Sequence, residues 1–276
     1  MSEVYVVSAM RSAIGGYGGS LKDMPPHELG TTVIKAALEK AGISGEDVGH
    51  VVIGHVVNTE PRDQYLSRLA SVNAGVSKDS VAMNVNRLCG SGLQAIISAA
   101  QSIKLGDTDV AIGGGVEVMS RGAYILPTSR WGARMGDNKI VDMMVGAVTD
   151  PFEVVHMGVT AENVANEFEI SREEQDALAA ESHRRAANAI EQGYFKEQIV
   201  PVVMKTRKGE VVFDTDEHVR PDTTVESLGK MRPVFAKENG SVTAGNASGI
   251  NDGAAAVVLM SEEAVKKHGA KPLARL

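Results

Sequence analysis

The chain has 276 residues, 43% hydrophobic and 23% charged, with a formal net charge of −7 and one cysteine. This length and mix suit a globular protein of about two structural units and exclude a disordered or low-complexity chain. The acidic balance argues against a nucleic-acid binder, no apolar run reaches the ~18–20 residues of a membrane span, and a lone cysteine excludes an internal disulfide, as in a reducing compartment.

Residues 1–11 show neither a secretory nor a transit pattern, so a cytoplasmic, bacterial-type location is expected. Residues 4–8 read as a strand, and 28–41 as an amphipathic helix closing at Gly42. The nearly all-apolar 51–57 suits a strand covered on both faces. A helical stretch near 64–74 precedes a strand at 81–86, a helix at 90–105 and a strand at 109–113. This alternation predicts an α/β layered fold with a mixed or largely parallel sheet.

The rhythm breaks after Ser120. Residues 124–142, with Pro127, Trp131 and two glycines, have no period and read as an interaction loop. Helices return at 160–168 and 172–193, the second opening on a Ser171/Glu174 capping box. Residues 199–205 and 210–213 predict a hairpin around 207–209, and 220–239 is irregular. A strand at 253–260, a helix at 261–268 and a strand starting at 273–276 follow. The expected organisation is a sheet domain of 1–120 and 250–270, an insertion of 121–249, and a further domain opening at 271–276.

Chemistry concentrates at Asn-Arg-Leu-Cys-Gly-Ser-Gly-Leu, residues 86–93. A strand ends, the chain turns, and a helix begins at Cys89. A helix N-terminus favours a thiolate, the nucleophile that acyl transfer requires. Gly90 and Gly92 leave room for an acyl group. A small buried hydrophobe and an activated nucleophile both remain open for Cys89 on these grounds. The helix after it is apolar or small on nearly every side from 93 to 100, which predicts central burial. Gly113–Gly115 reads as a tight strand exit and is no dinucleotide fingerprint, since Val118 stands where the third glycine belongs. Glu117 reads as structural, accepting from nearby amides. No H-E-x-x-H, zinc constellation or phosphate loop occurs.

Four segments together resemble the thiolase family in its own motif order. They are Asn86 to Ala95, Gly-Gly-Gly-Val-Glu-Val-Met-Ser at 113–120, His-Met-Gly-Val-Thr-Ala-Glu-Asn-Val-Ala at 156–165, and Asn-Ala-Ser-Gly-Ile-Asn-Asp-Gly-Ala at 246–254. The opening Ser-Ala-Met-Arg-Ser-Ala-Ile-Gly at 8–15 fits as well. The resemblance implies a thiolase-like fold and a coenzyme A-dependent C-acyltransferase with Cys89 as nucleophile. It places His156 and Met157 at the pantetheine and acyl pocket, with Ser248 and Ala244 beside the pantetheine arm. Arg220 and Ser227 would lie near the adenine nucleotide, and Leu228 and Phe235 against the coenzyme. The basic residues of this region (Lys205, Arg207, Lys208, Arg220, Lys230, Arg232) otherwise read as a solvated face, because acids are almost as frequent.

Thr-Glu-Pro-Arg-Asp at 59–63 and Arg-Trp-Gly-Ala-Arg-Met-Gly at 130–136 resemble bacterial β-ketothiolases that feed polyhydroxyalkanoate synthesis. The implied ligands are acetyl-CoA, a short acyl-CoA and 3-ketoacyl-CoA, with no cofactor beyond coenzyme A as substrate. A homodimer or homotetramer is implied, with 124–142 as the tetramer contact. The family's Gly-His-Pro, Cys-x-Gly-Gly-Gly and Asn-Glu-Ala-Phe strings, which supply base, acid and water-orienting groups, do not occur in these residues. The chain alone is therefore expected to be inactive, and a non-catalytic coenzyme A-binding or assembly module is the competing expectation. The retained Cys89 favours the transferase.

Overall fold

The computed structural model describes residues 3–132, 134–207 and 209–276, so Ala133 and Lys208 lie outside the described residues. The strands are β1 (Val4–Arg11), β2 (Gly15–Gly16), β3 (His50–Gly54), β4 (Val81–Val85), β5 (Val110–Val118), β6 (Tyr124–Ile125), β7 (Val141–Asp142), β8 (Val202–Thr206), β9 (Gly209–Phe213), β10 (Asn251–Ser261) and β11 (Ala274–Arg275). The α-helices are α1 (Pro26–Ala41), α2 (Leu66–Asn73), α3 (Ser91–Leu105), α4 (Met143–Ala147), α5 (Met157–Glu167), α6 (Arg172–Glu191), α7 (Val225–Gly229) and α8 (Glu262–His268).

The main sheet has the order β11-β1-β10-β5-β3-β4, with β2 on β10. It is mixed: β4, β3 and β5 run parallel, while β10 is antiparallel to both β5 and β1. Alternation along each strand feeds two cores. Val51, Ile53, Ile112, Val258 and Met260 join Leu29, Val33, Ile34 and Ala37 of α1 and Leu66 and Ala70 of α2. Val52, Ala111 and Leu259 join Ala95, Ala99 and Ile103 of α3. The central strands thus have helices on both faces, as the unbroken apolar run of β3 predicts. Each fully buried Val, Leu or Ile contributes about 1.5–3 kcal/mol.

Two expectations fail here. β5 does not exit at its glycines but runs through them to Val118. Those glycines sit inside the strand because neighbouring backbones press on it. A Cβ at Gly113 would stand 2.7 Å from the Ile96 Cα of α3, and one at Gly114 would stand 2.2 Å from the Ala255 carbonyl of β10. Nor is α3 buried all round: Leu93, Ile97 and Leu105 are exposed along one face. Their i, i+4, i+12 spacing is a single stripe, opposite the Ala95, Ala99 and Ile103 that meet the sheet.

The chain forms two compact units. One comprises residues 1–123, 197–215 and 251–276, the other 124–196 and 216–250. The sequence boundaries assign 197–215 to the insertion, whereas in the structure this stretch belongs to the first unit. The Arg11 amide donates to the Gln198 carbonyl at 2.9 Å, and the Val200 amide to the Arg11 carbonyl at 2.8 Å. Val202 and Phe213 of the β8–β9 hairpin then enter the core beneath the sheet. At 271–276, where a further domain was expected, β11 pairs with β1 through Tyr5 and Val6.

In the second unit, β6 and β7 pair antiparallel and bracket the loop between them. Helix α6 opens on the expected capping box, Ser171 with Glu174. The 220–239 stretch is not wholly irregular, since α7 forms behind a Thr224/Ser227 capping box. No helix among the described residues is long and apolar enough to cross a membrane.

Candidate active site

Cys89 is free and exposed, just past the carboxyl end of β4. In parallel α/β sheets this is the end at which ligands bind. The helix begins at Ser91 with Gly90 as its N-cap, one residue later than the sequence suggests. The turn is densely bonded. The Leu88 amide donates to Asn86 Oδ1 at 3.0 Å, the Gly90 amide to the Arg87 carbonyl at 3.1 Å, and the Ser91 amide to the Leu88 carbonyl at 2.9 Å. Leu88 has φ +46°, a left-handed conformation that costs a non-glycine residue about 1–3 kcal/mol. The start of α3 rests on the β3 and β5 ends. A Cβ at Gly54 would stand 2.7 Å from the Ser91 carbonyl carbon, and one at Gly115 would stand 3.6 Å from the Gly92 Cα.

Beyond those glycines lies a buried polar knot. Glu117 accepts from the amides of Val56 and Val57, so it ties the β5 end to the chain leaving β3. His55 Nδ1 bonds the Val116 carbonyl at 2.8 Å and therefore carries the proton. Burial pushes the Glu117 carboxyl up, against the pull of His55 and the two amides. Asp63, fully buried, accepts from the Thr59 amide and hydroxyl and from the Glu60 amide.

The eight expected coenzyme contacts all belong to the second unit. His156 is the N-cap of α5, with Nδ1 accepting the Gly158 amide at 2.9 Å, and its ring stacks on Phe235 at 4.7 Å and 19°. Gly158 permits this, because a Cβ there would stand 2.2 Å from the Phe235 ring. Met157, beside His156, is exposed. Leu228 is fully buried and packs against Gly245, next to the exposed Ala244. Ser248 is exposed, with its hydroxyl donating to the Gly249 carbonyl at 3.1 Å. The Ser227 hydroxyl is engaged in the α7 cap, donating to the Thr224 carbonyl at 2.8 Å. Arg220 is exposed, and its amide donates to His183 Nδ1 at 3.2 Å. Burial, then His218 and Arg220, push His183 down, against Asp222.

The hydrogen-bond network around these residues has no local sequence signature. Glu162 of α5 accepts from the Ser241 amide and hydroxyl and from the Val242 amide. Burial opposes its charge, but those donors outweigh burial and hold the carboxyl below its ordinary range. Arg172 of α6 bonds Asp176 at 2.8 Å and the carbonyls of Leu228 and Met231, while Asp176 accepts Asn246 Nδ2 at 2.9 Å. Only the position of Glu162 within the 156–165 motif could have signalled it. Ser91, two residues past the cysteine, carries no local sequence signal of a role of its own.

One cavity of about 690 Å³ opens between residues 19–28 and the β8–β9 hairpin. Cys89 and the eight coenzyme candidates are not among the residues that line it.

The sheet and helices form an α/β fold with an exposed cysteine at the strand ends, the edge at which open α/β sheets receive ligands. The thiolase N-terminal domain matches residues 4–263. Beta-ketothiolase BktB of Cupriavidus necator is 66% identical over 274 residues, covering 99% of this chain and 70% of that protein. The acetyl-CoA acetyltransferase of Chromobacterium violaceum is 50% identical, over 99% of this chain and 69% of that protein. The crystal structure of Bacillus anthracis acetyl-CoA acetyltransferase superposes with a TM-score of 0.96 at 45% identity, over 100% of this chain and 69% of that one. Human mitochondrial 3-ketoacyl-CoA thiolase in complex with CoA gives 0.94 at 42% identity, over 99% and 68%. The chain belongs to the thiolase family.

Proposed function

We propose that this chain supplies the nucleophile and coenzyme-binding parts of a short-chain β-ketothiolase acting on acetyl-CoA and a second short acyl-CoA. The observation that carries the reading is Cys89, exposed on a braced turn at the carboxyl end of β4. Its thiolate attacks the carbonyl carbon of the donor thioester, the coenzyme A thiolate departs, and an acyl-Cys89 thioester remains. A base then takes a proton from the α-carbon of a second acetyl-CoA. The resulting carbon nucleophile attacks the acyl-enzyme, forming 3-ketoacyl-CoA and releasing the Cys89 thiolate. The reverse path cleaves 3-ketoacyl-CoA with coenzyme A. A donor held against the tetrahedral oxyanion, such as the Cys89 amide, is worth about 2.7–4 kcal/mol.

His156, Met157, Phe235, Ala244 and Ser248 would line the pantetheine arm, Leu228 would back it, and Arg220 and Ser227 would meet the nucleotide. A cation beside an adenine ring is a suitable use of Arg220. A role in polyhydroxyalkanoate precursor supply rests on the resemblance carried by residues 59–63 and 130–136. A homodimer or homotetramer in the cytoplasm completes the reading. The base and second cysteine of the family's motifs are not among these 276 residues, so we expect them by themselves not to turn over.

Mass spectrometry after incubation with acetyl-CoA of these residues joined to a segment carrying the missing motifs tests this. One acetyl group on the Leu88–Lys104 tryptic peptide, lost in Cys89→Ala, is expected. Coenzyme A binding without any Cys89 adduct would instead favour a non-catalytic binding module.

A further inference from the structure

Ser91 is buried, although residues 86–90 beside it are exposed. Its hydroxyl spends both of its capacities on the nucleophile turn. Oγ donates to the Leu88 carbonyl at 2.6 Å and accepts the Arg87 amide at 2.8 Å. The two residues before Cys89 are thereby fastened to the second residue after it, and the cysteine rides on a closed loop. Inside that loop Leu88 is held at φ +46°, a conformation a leucine leaves unless its surroundings fix it. Gly54 sets the floor: a Cβ there would stand 2.9 Å from both Ser91 Cβ and the Gly92 amide nitrogen.

We propose that Ser91 is a positioning residue for acyl transfer, its hydroxyl fixing the direction of the Cys89 thiol without touching substrate. The inference rests on Cys89 being the nucleophile. Direction matters to transfer from a bound thioester, because reacting atoms must meet in line at close range. It matters little to a small alkylating agent that approaches from any side. Loss of the hydroxyl therefore lowers kcat, leaves KM alone, and spares general thiol reactivity.

The test compares Ser91→Ala with Ser102→Ala in these residues joined to a segment carrying the family's Gly-His-Pro and Cys-x-Gly-Gly-Gly strings, the form in which turnover is expected. Ser102 is a buried serine on the same helix, bonded to His50 Nδ1 at 2.7 Å and remote from the turn in sequence. For Ser91→Ala, kcat should fall about ten- to a hundredfold with KM within about twofold. Iodoacetamide labelling of the Leu88–Lys104 peptide should stay within about threefold, and Ser102→Ala should match wild type in all three readouts. The proposal is overturned if Ser91→Ala tracks Ser102→Ala, or if labelling and transfer fall in proportion. Should Ser91→Ala not fold, the comparison moves to a Leu88→Gly background, where a positive φ is easily adopted. A kcat loss there supports the role, and an unchanged kcat refutes it. A wild-type protein that forms no acetyl-Cys89 defeats the nucleophile reading itself, which its own control distinguishes from a failure of Ser91.

Discussion

Removing the Glu162 carboxylate should loosen the second unit by a calculable amount. Its two oxygens take the Ser241 amide at 3.0 Å, the Val242 amide at 2.9 Å and the Ser241 hydroxyl at 2.7 Å, all in buried surroundings. Glu162→Ala strands two backbone donors, each costing about 1–3 kcal/mol when buried without a partner. With partial rescue by water, the total is roughly 3–5 kcal/mol. Glu162→Gln keeps one oxygen for the amides and exchanges charge-assisted bonds for neutral ones, a loss of about 1–2 kcal/mol. The sign with pH follows from the depressed carboxyl of Glu162. Its contribution is complete above the unfolded glutamate value of about 4.3 and fades as pH falls through the lower folded value. Urea unfolding of wild type and both variants between pH 3 and 8 reads all of this. The gap between wild type and Glu162→Gln should be flat above about pH 5 and shrink progressively as pH falls below the unfolded glutamate value of about 4.3. A Glu162→Ala loss under about 1 kcal/mol, or a gap that widens in acid, would refute the reasoning.

Four further outcomes follow from the packing. Gly54→Ala drives a methyl into the Ser91 backbone, so acetylation of Cys89 by acetyl-CoA should slow at least about tenfold in mass-spectrometric time courses. Gly114→Ala meets the Ala255 carbonyl and should destabilise by about 3 kcal/mol or more, seen as a lowered denaturation midpoint or insoluble expression. Gly158→Ala displaces the Phe235 ring from His156 at a cost of about 1–3 kcal/mol, measured by thermal unfolding, and coenzyme A should bind more weakly by calorimetry. Glu181 is lowered to about 2 by hydrogen bonds from Arg184 and Arg185, yet it is only half-buried and both arginines are exposed. Glu181→Gln should leave the unfolding midpoint unchanged within error at 0.15 M salt.

Much of the fold was legible because local signals and burial agreed. The apolar run of β3 gave a two-sided strand, Gly42 ends α1 with φ +69°, and Ser171 and Glu174 cap α6 as spaced. Glu117 accepts amides, as its residue type and setting suggest. What failed depended on partners distant in the chain. The glycines of β5 read as an exit because nothing local reveals that α3 and β10 press against them. Helix α3 looked apolar throughout, and composition cannot say which stripe faces the sheet. The β8–β9 hairpin was recognised but given to the wrong unit, since its attachment runs through Arg11, nearly 190 residues earlier. At the site, Cys89 stood out by its string, whereas Ser91, Glu162 and Asp176 act through hydrogen bonds that only the folded chain displays.

The order of the main sheet has a consequence for biosynthesis. Strand β10 occupies the slot between β1 and β5, yet it leaves the ribosome about 130 residues after β5. At about 5–20 residues per second, the slot stays unfilled for roughly 7–30 s of translation. Throughout that interval the nascent chain exposes two unpaired strand edges that belong at its centre. A stall or a run of slow codons across residues 119–250 would prolong this state, and a chaperone that shields open edges would serve this chain most before β10 emerges.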